Sequence, residues 1–494
     1  MKKRRIISAI LSLLMAGTMC VGLTGCGVNN SKKDNMLLWY TFGDRPTDID
    51  AVLAKANEII EPAIGMKLDM QFIDSASYGE KMKLKMASNE AFDLCFTGYN
   101  NNYQMAANMG GLYDITELIE EVGMKEAVSE SMIEAAKIKG RVYGIPNEQV
   151  VSNPQCLLID KSLAEEINID LDAIETAAVN ANDLDGVKAL GEKLDELFEA
   201  VKIARPDQYV LNPSANLFLN MYEGVYANTY IKKDGSSTKI VNLCDTEEWN
   251  YSIEKIHEWY KKGYIRSDIS SKGTALTSNE EYQSYSVLID SWKPGAEVGD
   301  IERFGEEQEV VLMTYPYTSK AAPLMTMTSV GANTKHPKEA VEFIKLMNGN
   351  KELYNIICWG IEGKHYTKNE AGKVTEIPDS GYNKMGSNAW KFGNQFNALL
   401  QETQPDGVWE ETMRMNDESV KSPMLGFVVD TSNIETEAAN ISNVVAEYKA
   451  RRDFGTEEPN VWKEEYFNKL RQAGIDKIVN ELQKQYDEYL KTKN

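Results

Sequence analysis

Aromatic and amide side chains stand near the ends of the apolar runs that predict strands, or in loops that contain glycine. They are Trp39, Tyr40, Tyr99, Asn100, Trp292, Trp359 and Trp390. An aromatic ring packs well against the apolar C–H face of a sugar ring, while amides and carboxylates form hydrogen bonds with its hydroxyl groups. Loops held by a rigid sheet are where binding residues concentrate. The pattern favours a sugar over other solutes as the ligand, although any one of these rings could instead pack in a core.

Residues that would support catalysis or bind a metal do not occur at the spacing that those chemistries need. The three histidines, His257, His336 and His365, lie far apart, and no HExxH motif is present. The cysteines beyond residue 26 form no CxxC pair. A G-x-S-x-G elbow and a phosphate-binding loop are also missing from the sequence. We therefore predict no catalytic residue, no metal site and no cofactor.

Two other functions remain open at this point. A secreted glycoside hydrolase needs a pair of carboxylates facing each other across a cleft. With 75 acidic residues in the chain, composition alone cannot exclude such a pair. A binding protein for peptides or other polar solutes is the second alternative, because it would differ only in the chemistry of the site.

The first residues have the pattern of an export signal. Four basic side chains within residues 1–5 precede an apolar run over residues 6–23, and small residues lead to Cys26. We predict a lipoprotein signal peptide over residues 1–25, acylation of Cys26 and a flexible tether over residues 26–35. The predicted location is the extracellular face of the cell membrane, held through the lipid anchor only. An uncleaved membrane-spanning segment is the alternative.

The net charge of the chain is -22 at pH 7. Nucleic acids and anionic lipid surfaces attract basic proteins, so this charge argues against both as partners. An acidic surface is typical of soluble secreted proteins.

The chain after the tether alternates between strand and helix patterns. Apolar or alternating runs at residues 37–42, 68–72 and 91–96 are separated by helical spacing over residues 49–62 and 78–86. This order predicts an α/β fold whose mostly parallel sheet is flanked by helices, with ligand sites beyond the carboxyl ends of the strands.

The length of the chain predicts two lobes. Apolar runs near residues 156 and 315 indicate that the chain crosses between them twice. We predict residues 36–155 and about 317–365 in the first lobe. Residues 156–316 and about 366–494 are predicted in the second, which includes a helical C-terminal extension.

Three segments resemble the extracellular solute-binding proteins of sugar-type ABC importers, known as family 1. They are residues 87–94, 142–146 and 333–340, in this order along the chain. The resemblance implies a two-lobed, periplasmic-binding-protein-like fold of type II that closes on a small ligand. It also implies a non-enzymatic protein that delivers an oligosaccharide to the permease subunits of an importer.

The region from about residue 355 onward resembles a LipO-like subgroup of Firmicutes lipoproteins with a C-terminal domain of unknown function. The resemblance rests on residues 359–366, 392–396 and 474–477. It adds Glu362 and Asn394, which lie in these motifs, as polar candidates for the ligand site.

Overall fold

The computed structural model describes residues 35–213, 217–276, 278–382 and 389–493. The predicted signal peptide and nearly all of the predicted tether lie outside these ranges. From Leu37 onward the chain forms one compact unit, within which three larger groups of apolar side chains mark two lobes and a C-terminal helical region.

The first lobe begins with alternating strands and helices, as the sequence pattern predicts. Its elements are β1 Met36–Phe42, α1 Ile49–Ile64, β2 Lys67–Ile73, α2 Tyr78–Ala87, β3 Leu94–Gly98, α3 Tyr103–Asn108, α4 Thr116–Glu121, α5 Glu130–Ala135 and β4 Gly144–Pro146. Helix α1 buries Ile49, Val52, Ala56 and Ile60 at helical spacing. It therefore covers the sheet with one apolar face.

The second lobe follows from residue 155. Its elements are β5 Gln155–Asp160, α6 Lys161–Ile167, α7 Leu171–Val179, α8 Leu184–Ala204, β6 Tyr209–Leu211, β7 Tyr222–Gly224, β8 Thr229–Lys232, β9 Val241–Asn242, α9 Glu247–Lys261, α10 Ile269–Lys272, α11 Asn279–Tyr282, β10 Tyr285–Ser291, α12 Glu297–Phe304 and β11 Gln308–Leu312. Strands β7, β8 and β9 form a separate antiparallel sheet.

The rest of the chain returns to the first lobe and ends in helices. Its elements are β12 Tyr317–Thr318, β13 Thr326–Val330, α13 Pro337–Gly349, α14 Lys351–Trp359, β14 Tyr366–Lys368, β15 Val374–Glu376, α15 Val408–Glu418, β16 Val420–Lys421, α16 Glu435–Glu447, α17 Lys449–Phe454, α18 Pro459–Ala473 and α19 Ile475–Lys493. None of the described helices is long and apolar enough to span a bilayer.

Both main sheets are mixed rather than mostly parallel. The first has the order β2-β1-β3-β13-β4, and β13 runs antiparallel to β3 and to β4, whereas β1 and β3 are parallel. The second has the order β11-β5-β10-β6, in which β5 is antiparallel to both of its neighbours. The antiparallel strands are β13 in the first sheet and β5 in the second. Each of them directly follows a segment that crosses between the lobes, so it enters its sheet against the direction of its neighbours.

The first lobe extends beyond the predicted boundary at residue 365. Tyr366, Val374, Tyr382, Phe392 and Ala398 are buried in the same core as β1 and β3. This stretch contains little regular structure, so its sequence carried no periodic signal that would assign it to either lobe.

The C-terminal helices pack against the second lobe. Ile475, Ile478, Leu482 and Tyr486 of α19 lie in one buried group with Trp249 of α9. The apolar stripe of α19 is thus a packing surface. Cys95, Cys156, Cys244 and Cys358 are buried free thiols, so they form no disulfide framework.

Candidate functional site

The strand register identifies the edge of the first lobe that faces the second. Thr326 of β13 lies opposite Gly98 of β3, and Met327 lies opposite Pro146 of β4. The ends of β3 and β4 therefore meet the start of β13 at one edge. The chain leaves the first lobe just after Pro146 and returns just before Thr326. Residues that follow β3 consequently stand where the two lobes meet.

The same reasoning identifies the facing edge of the second lobe. Ser291, at the end of β10, lies opposite Gln155 at the start of β5. Strand β11 is also antiparallel to β5 and ends at Leu312. Trp292 and Tyr315 follow these strand ends closely, so they belong to the edge that faces the first lobe.

Four rings at the first-lobe edge, which we call the aromatic group, are Phe42, Phe96, Tyr99 and Trp390. Phe42 and Phe96 contact each other edge to face, with 5.0 Å between their ring centres, and the ring centre of Trp390 lies 5.9 Å from that of Phe42. Tyr99 lies 6.0 Å from Trp390 and keeps 52% of its surface exposed. The two buried rings, Phe42 and Phe96, thus support the two outer rings, Tyr99 and Trp390, whose apolar faces can pack against a sugar ring.

Gly98 allows the turn that places Tyr99 in this group. Its φ is +148°, and a Cβ atom added there would lie 2.0 Å from the carbonyl oxygen of Met325. That oxygen accepts a hydrogen bond of 3.0 Å from the backbone N–H of Tyr99. Because any larger residue would collide with Met325, only glycine permits this close approach.

Asn100 supplies unused hydrogen-bonding groups next to Tyr99. Both its amide nitrogen and its amide oxygen are enclosed, and neither has a partner among the described residues. Leaving a buried polar atom unpaired costs on the order of 1–3 kcal/mol. The side chain therefore has hydrogen-bonding capacity that no described residue uses, directly beside the exposed ring of Tyr99.

Lys391 is a residue of this edge that sequence reasoning missed. It is 5% exposed, and its Nζ donates a hydrogen bond of 3.1 Å to the carbonyl oxygen of Phe42 and lies 4.0 Å from the centre of that ring. Burial lowers the pKa of its ammonium group to about 8. No carboxylate lies within ion-pair distance of it in the described ranges. In the sequence, the signal for this position is the neighbouring Trp390, which is a candidate for the ligand site.

On the second lobe, Trp292 stands at the mouth of a cavity. The backbone N–H of Trp292 donates to the carbonyl oxygen of Pro154 at 2.9 Å, which ties the loop to the crossing segment. Trp292, Tyr315 and Arg414 are among the residues that line a cavity of about 350 Å³. This lobe therefore also presents aromatic rings at the edge between the lobes.

Trp39 does not lie in the cleft, and that expectation is wrong. It is 1% exposed and contacts Phe343 and Phe392 edge to face at 5.5 and 5.3 Å. The ring points to the face of β1 that α13 and the segment around Phe392 cover. A ring enclosed in this way contacts no ligand.

The expectation for Trp359 is wrong for a similar reason. The residue is 6% exposed and is the last residue of α14 in the core of the first lobe. Gly360, with φ +84°, follows it as the residue that ends this helix. The glycine that suggested a binding loop is therefore a helix terminator.

Tyr40, Glu362 and Asn394 lie outside the aromatic group. The ring of Tyr40 packs against Phe92 at 6.0 Å. Glu362 is exposed and forms an ion pair of 2.8 Å with a lysine, Lys368. Asn394 donates to the carboxylate of Glu148 at 2.9 Å. Of the predicted residues, Tyr99, Asn100 and Trp390 converge at the first-lobe edge, and Trp292 lies at the facing edge.

Comparison with known proteins identifies the family. Residues 48–353 match the model of the bacterial extracellular solute-binding protein family. The chain belongs to this family. Residues 423–491 match a domain of unknown function, DUF3502, and this range contains the helices that pack against the second lobe.

Known relatives span the full length of this solute-binding protein. A carbohydrate ABC transporter substrate-binding protein of Streptococcus pneumoniae serotype 4 is 28% identical, with 100% of this chain and 99% of that protein covered. The crystal structure of an N-glycan transport solute-binding protein from S. pneumoniae matches with a TM-score of 0.79 at 25% identity, covering 93% and 100% of the two chains. Its complex with Man5GlcNAc matches with a TM-score of 0.68 at 25% identity, covering 93% and 99%.

These matches confirm the two-lobed fold with its helical C-terminal region, and the family places the protein outside the cytoplasm as a binding protein rather than an enzyme. An alginate-binding protein shares the same fold at 16% identity, with a TM-score of 0.59 and coverage of 92% and 98%. Membership in the solute-binding family, whose members are binding proteins, contradicts the glycoside hydrolase alternative.

Proposed function

We propose that this protein captures an oligosaccharide of the N-glycan type between its two lobes and delivers it to the permease of an ABC importer. The observation that carries the proposal is the convergence of exposed Tyr99, its neighbour Trp390 and the unpaired amide of Asn100 at the edge facing Trp292. Rings would stack on the sugar faces, and the amide, which is enclosed in this structure, would bind hydroxyl groups after it rotates toward the ligand.

The names of the relatives favour this ligand class over other solutes. The relative with a TM-score of 0.79 is described as an N-glycan transport protein, and the same protein has been crystallised with Man1GlcNAc and with Man5GlcNAc. A mannose-rich oligosaccharide carries many hydroxyl groups and several apolar ring faces. The mixture of aromatic and amide groups at the lobe edge suits both.

Lys391 would support the site from behind the aromatic group, since it is only 5% exposed. Its ammonium nitrogen donates to the Phe42 carbonyl oxygen and lies 5.7 Å from the centre of the Trp390 ring. These contacts would hold both rings in place for the sugar.

The proposed position of the protein is at the outer surface of the cell membrane. The small residues before Cys26 support cleavage there and acylation of its thiol.

Calorimetric titration with Man5GlcNAc, kestose and a mixture of short peptides tests the proposed ligand class. We expect binding of Man5GlcNAc alone, with a rise in melting temperature because the ligand binds only the folded state. Binding of the peptides without binding of any glycan would instead support the peptide alternative. The Tyr99→Ala variant should lose most of the glycan affinity.

A further inference from the structure

Glu223 lies in the second lobe at the point where the lobe crossings meet. It belongs to β7 and is only 6% exposed. Its carboxylate accepts hydrogen bonds from the hydroxyl group of Tyr317 at 2.6 Å, from the backbone N–H of Lys320 at 2.8 Å and from the hydroxyl group of Ser422. One buried carboxylate thus holds two crossing segments, which are 101 residues apart in the sequence at Thr318 and Ser419.

The two segments that Glu223 holds are also paired with each other. Strands β12 and β16 are parallel, with Tyr317 opposite Val420. The hydroxyl groups of Thr318 and Ser419 lie 2.7 Å apart, and the backbone N–H of Ser422 donates to the carbonyl oxygen of Thr318 at 2.9 Å. We call this two-stranded unit the hinge pair.

Other contacts attach the crossing segments to the first lobe. The backbone N–H of Asn147 donates to the carbonyl oxygen of Thr326 at 2.8 Å, and that of Glu148 donates to Gly393 at 2.8 Å. On the returning segment, Met325 accepts the hydrogen bond from Tyr99. The outgoing segment is also bonded to the hinge pair and to the end of α15, because Ser152 accepts a hydrogen bond of 3.3 Å from the backbone N–H of Tyr317 and Val151 donates one of 3.0 Å to Asn416.

We propose that Glu223 is the positioning residue of the hinge, because it fixes the hinge pair to the second lobe. Relative motion of the lobes then occurs on the first-lobe side of the pair, which includes residues 321–324 of the returning segment. The closing of the lobes on a ligand is the one part of this inference that rests on the proposed function. The attachment of the hinge pair is independent of any ligand.

A consequence concerns the C-terminal helical region. Strand β16 leads directly to Met424, which is fully buried with Trp249 of the second lobe. The C-terminal region therefore moves with the second lobe. Its contacts with the first lobe include the exposed Lys139–Asp430 ion pair at 3.6 Å, beside a cavity of about 800 Å³, and the packing of Val428 against the first-lobe core. These contacts must change when the lobes move.

Distances between spin labels test the position of the hinge. Leu84 in the first lobe, Ile203 in the second and Val420 in the hinge pair are 67%, 75% and 44% exposed, so each can be replaced by a labelled cysteine. The native thiols of Cys95, Cys156, Cys244 and Cys358 are buried and react poorly with the label. On addition of Man5GlcNAc, we expect the distance from Val420 to Leu84 to change and that from Val420 to Ile203 to stay constant. The reverse pattern would overturn the proposal.

Variants of Glu223 test, in the absence of ligand, whether this residue attaches the hinge pair to the second lobe. In Glu223→Ala the Val420–Ile203 distance distribution should broaden. Glu223→Gln should retain a narrow distribution, because its amide can still bond Tyr317, Ser422 and the Lys320 N–H. Glu248→Ala is the matched control, since Glu248 lies in the same lobe and contacts Tyr222 and Lys232 instead of the hinge pair.

A purely structural role predicts a different result for Glu223→Ala, namely a lower melting temperature with an unchanged Val420–Ile203 distribution. That result would contradict the proposal. If Man5GlcNAc changes no distance, including that between Leu84 and Ile203, the proposed function fails for this glycan, while the ligand-free variants still decide the role of Glu223.

Discussion

The ammonium nitrogen of Lys391 lies 4.0 Å from the centre of the Phe42 ring and donates to the carbonyl oxygen of the same residue. These two residues are separated by 349 positions in the sequence. Their contact joins the end of the first strand to the segment that carries Trp390. It therefore links the aromatic group to the late part of the first lobe.

This buried ammonium group predicts a pH dependence of stability. Burial lowers the pKa of Lys391 to about 8 in the folded protein, below the ordinary value of 10.5. Between these two pH values the unfolded chain binds the proton more tightly, so the contribution of Lys391 to the free energy of unfolding rises with pH. Relative to Lys391→Met, wild type should gain stability on the order of 3 kcal/mol across this window. Urea unfolding of both proteins from pH 7 to pH 10 measures this gain. If the free energy of unfolding of the two proteins changed with pH in the same way, the prediction would be contradicted.

Replacing Tyr99 should affect binding more than stability. Because the ring is 52% exposed, Tyr99→Ala removes a ligand contact but little core packing. We expect a loss of roughly 1–3 kcal/mol in the binding of Man5GlcNAc, measured by calorimetry, with a nearly unchanged melting temperature. Tyr209→Ala is the control, as Tyr209 is a 37% exposed tyrosine of the second lobe and should bind the glycan like wild type.

Trp359→Ala should show the opposite behaviour. The ring is buried in the core of the first lobe, so its removal leaves a cavity and should lower the free energy of unfolding by about 3–5 kcal/mol. Molecules that remain folded should keep their glycan affinity. Unfolding in urea and calorimetry at low temperature separate the two effects. A large loss of affinity with unchanged stability would place the ring in the ligand site after all.

Acylation should depend on Cys26. Growth with labelled fatty acid should mark the wild-type protein and leave Cys26→Ser unlabelled, because the thiol is the acceptor for the lipid. Cys20→Ser provides the matched control, since Cys20 lies within the predicted signal peptide and its loss should not reduce labelling. Equal labelling of wild type and Cys26→Ser would exclude Cys26 as the anchor.

The sequence predicted the local elements of the first lobe better than their assembly. The alternation of strands and helices up to β3 follows from apolar spacing within short stretches of the chain. The antiparallel direction of β13 depends on partners more than 200 residues earlier, since Ser329 pairs with Cys95. No local pattern contains that information.

The candidate site shows the same division. Trp39 lies in the middle of β1 and Tyr99 directly follows β3, but both are aromatic residues, and residue type alone gives no distinction between them. Trp39 is buried because Phe343 and Phe392 arrive to cover it, whereas Tyr99 has no such cover on one side. Which ring faces the cleft is therefore decided by segments that follow hundreds of residues later.

The packing of α19 against Trp249 and Ile253 bears on the order in which the molecule can fold. The ribosome produces these second-lobe side chains more than 200 residues before Ile475 and Tyr486, which complete the same core. Until the last helix has emerged, part of the second lobe keeps an uncovered apolar surface and cannot reach its final packing. Such a chain stays incompletely folded until synthesis is almost finished, and that is the state in which an exported protein can be threaded through a membrane.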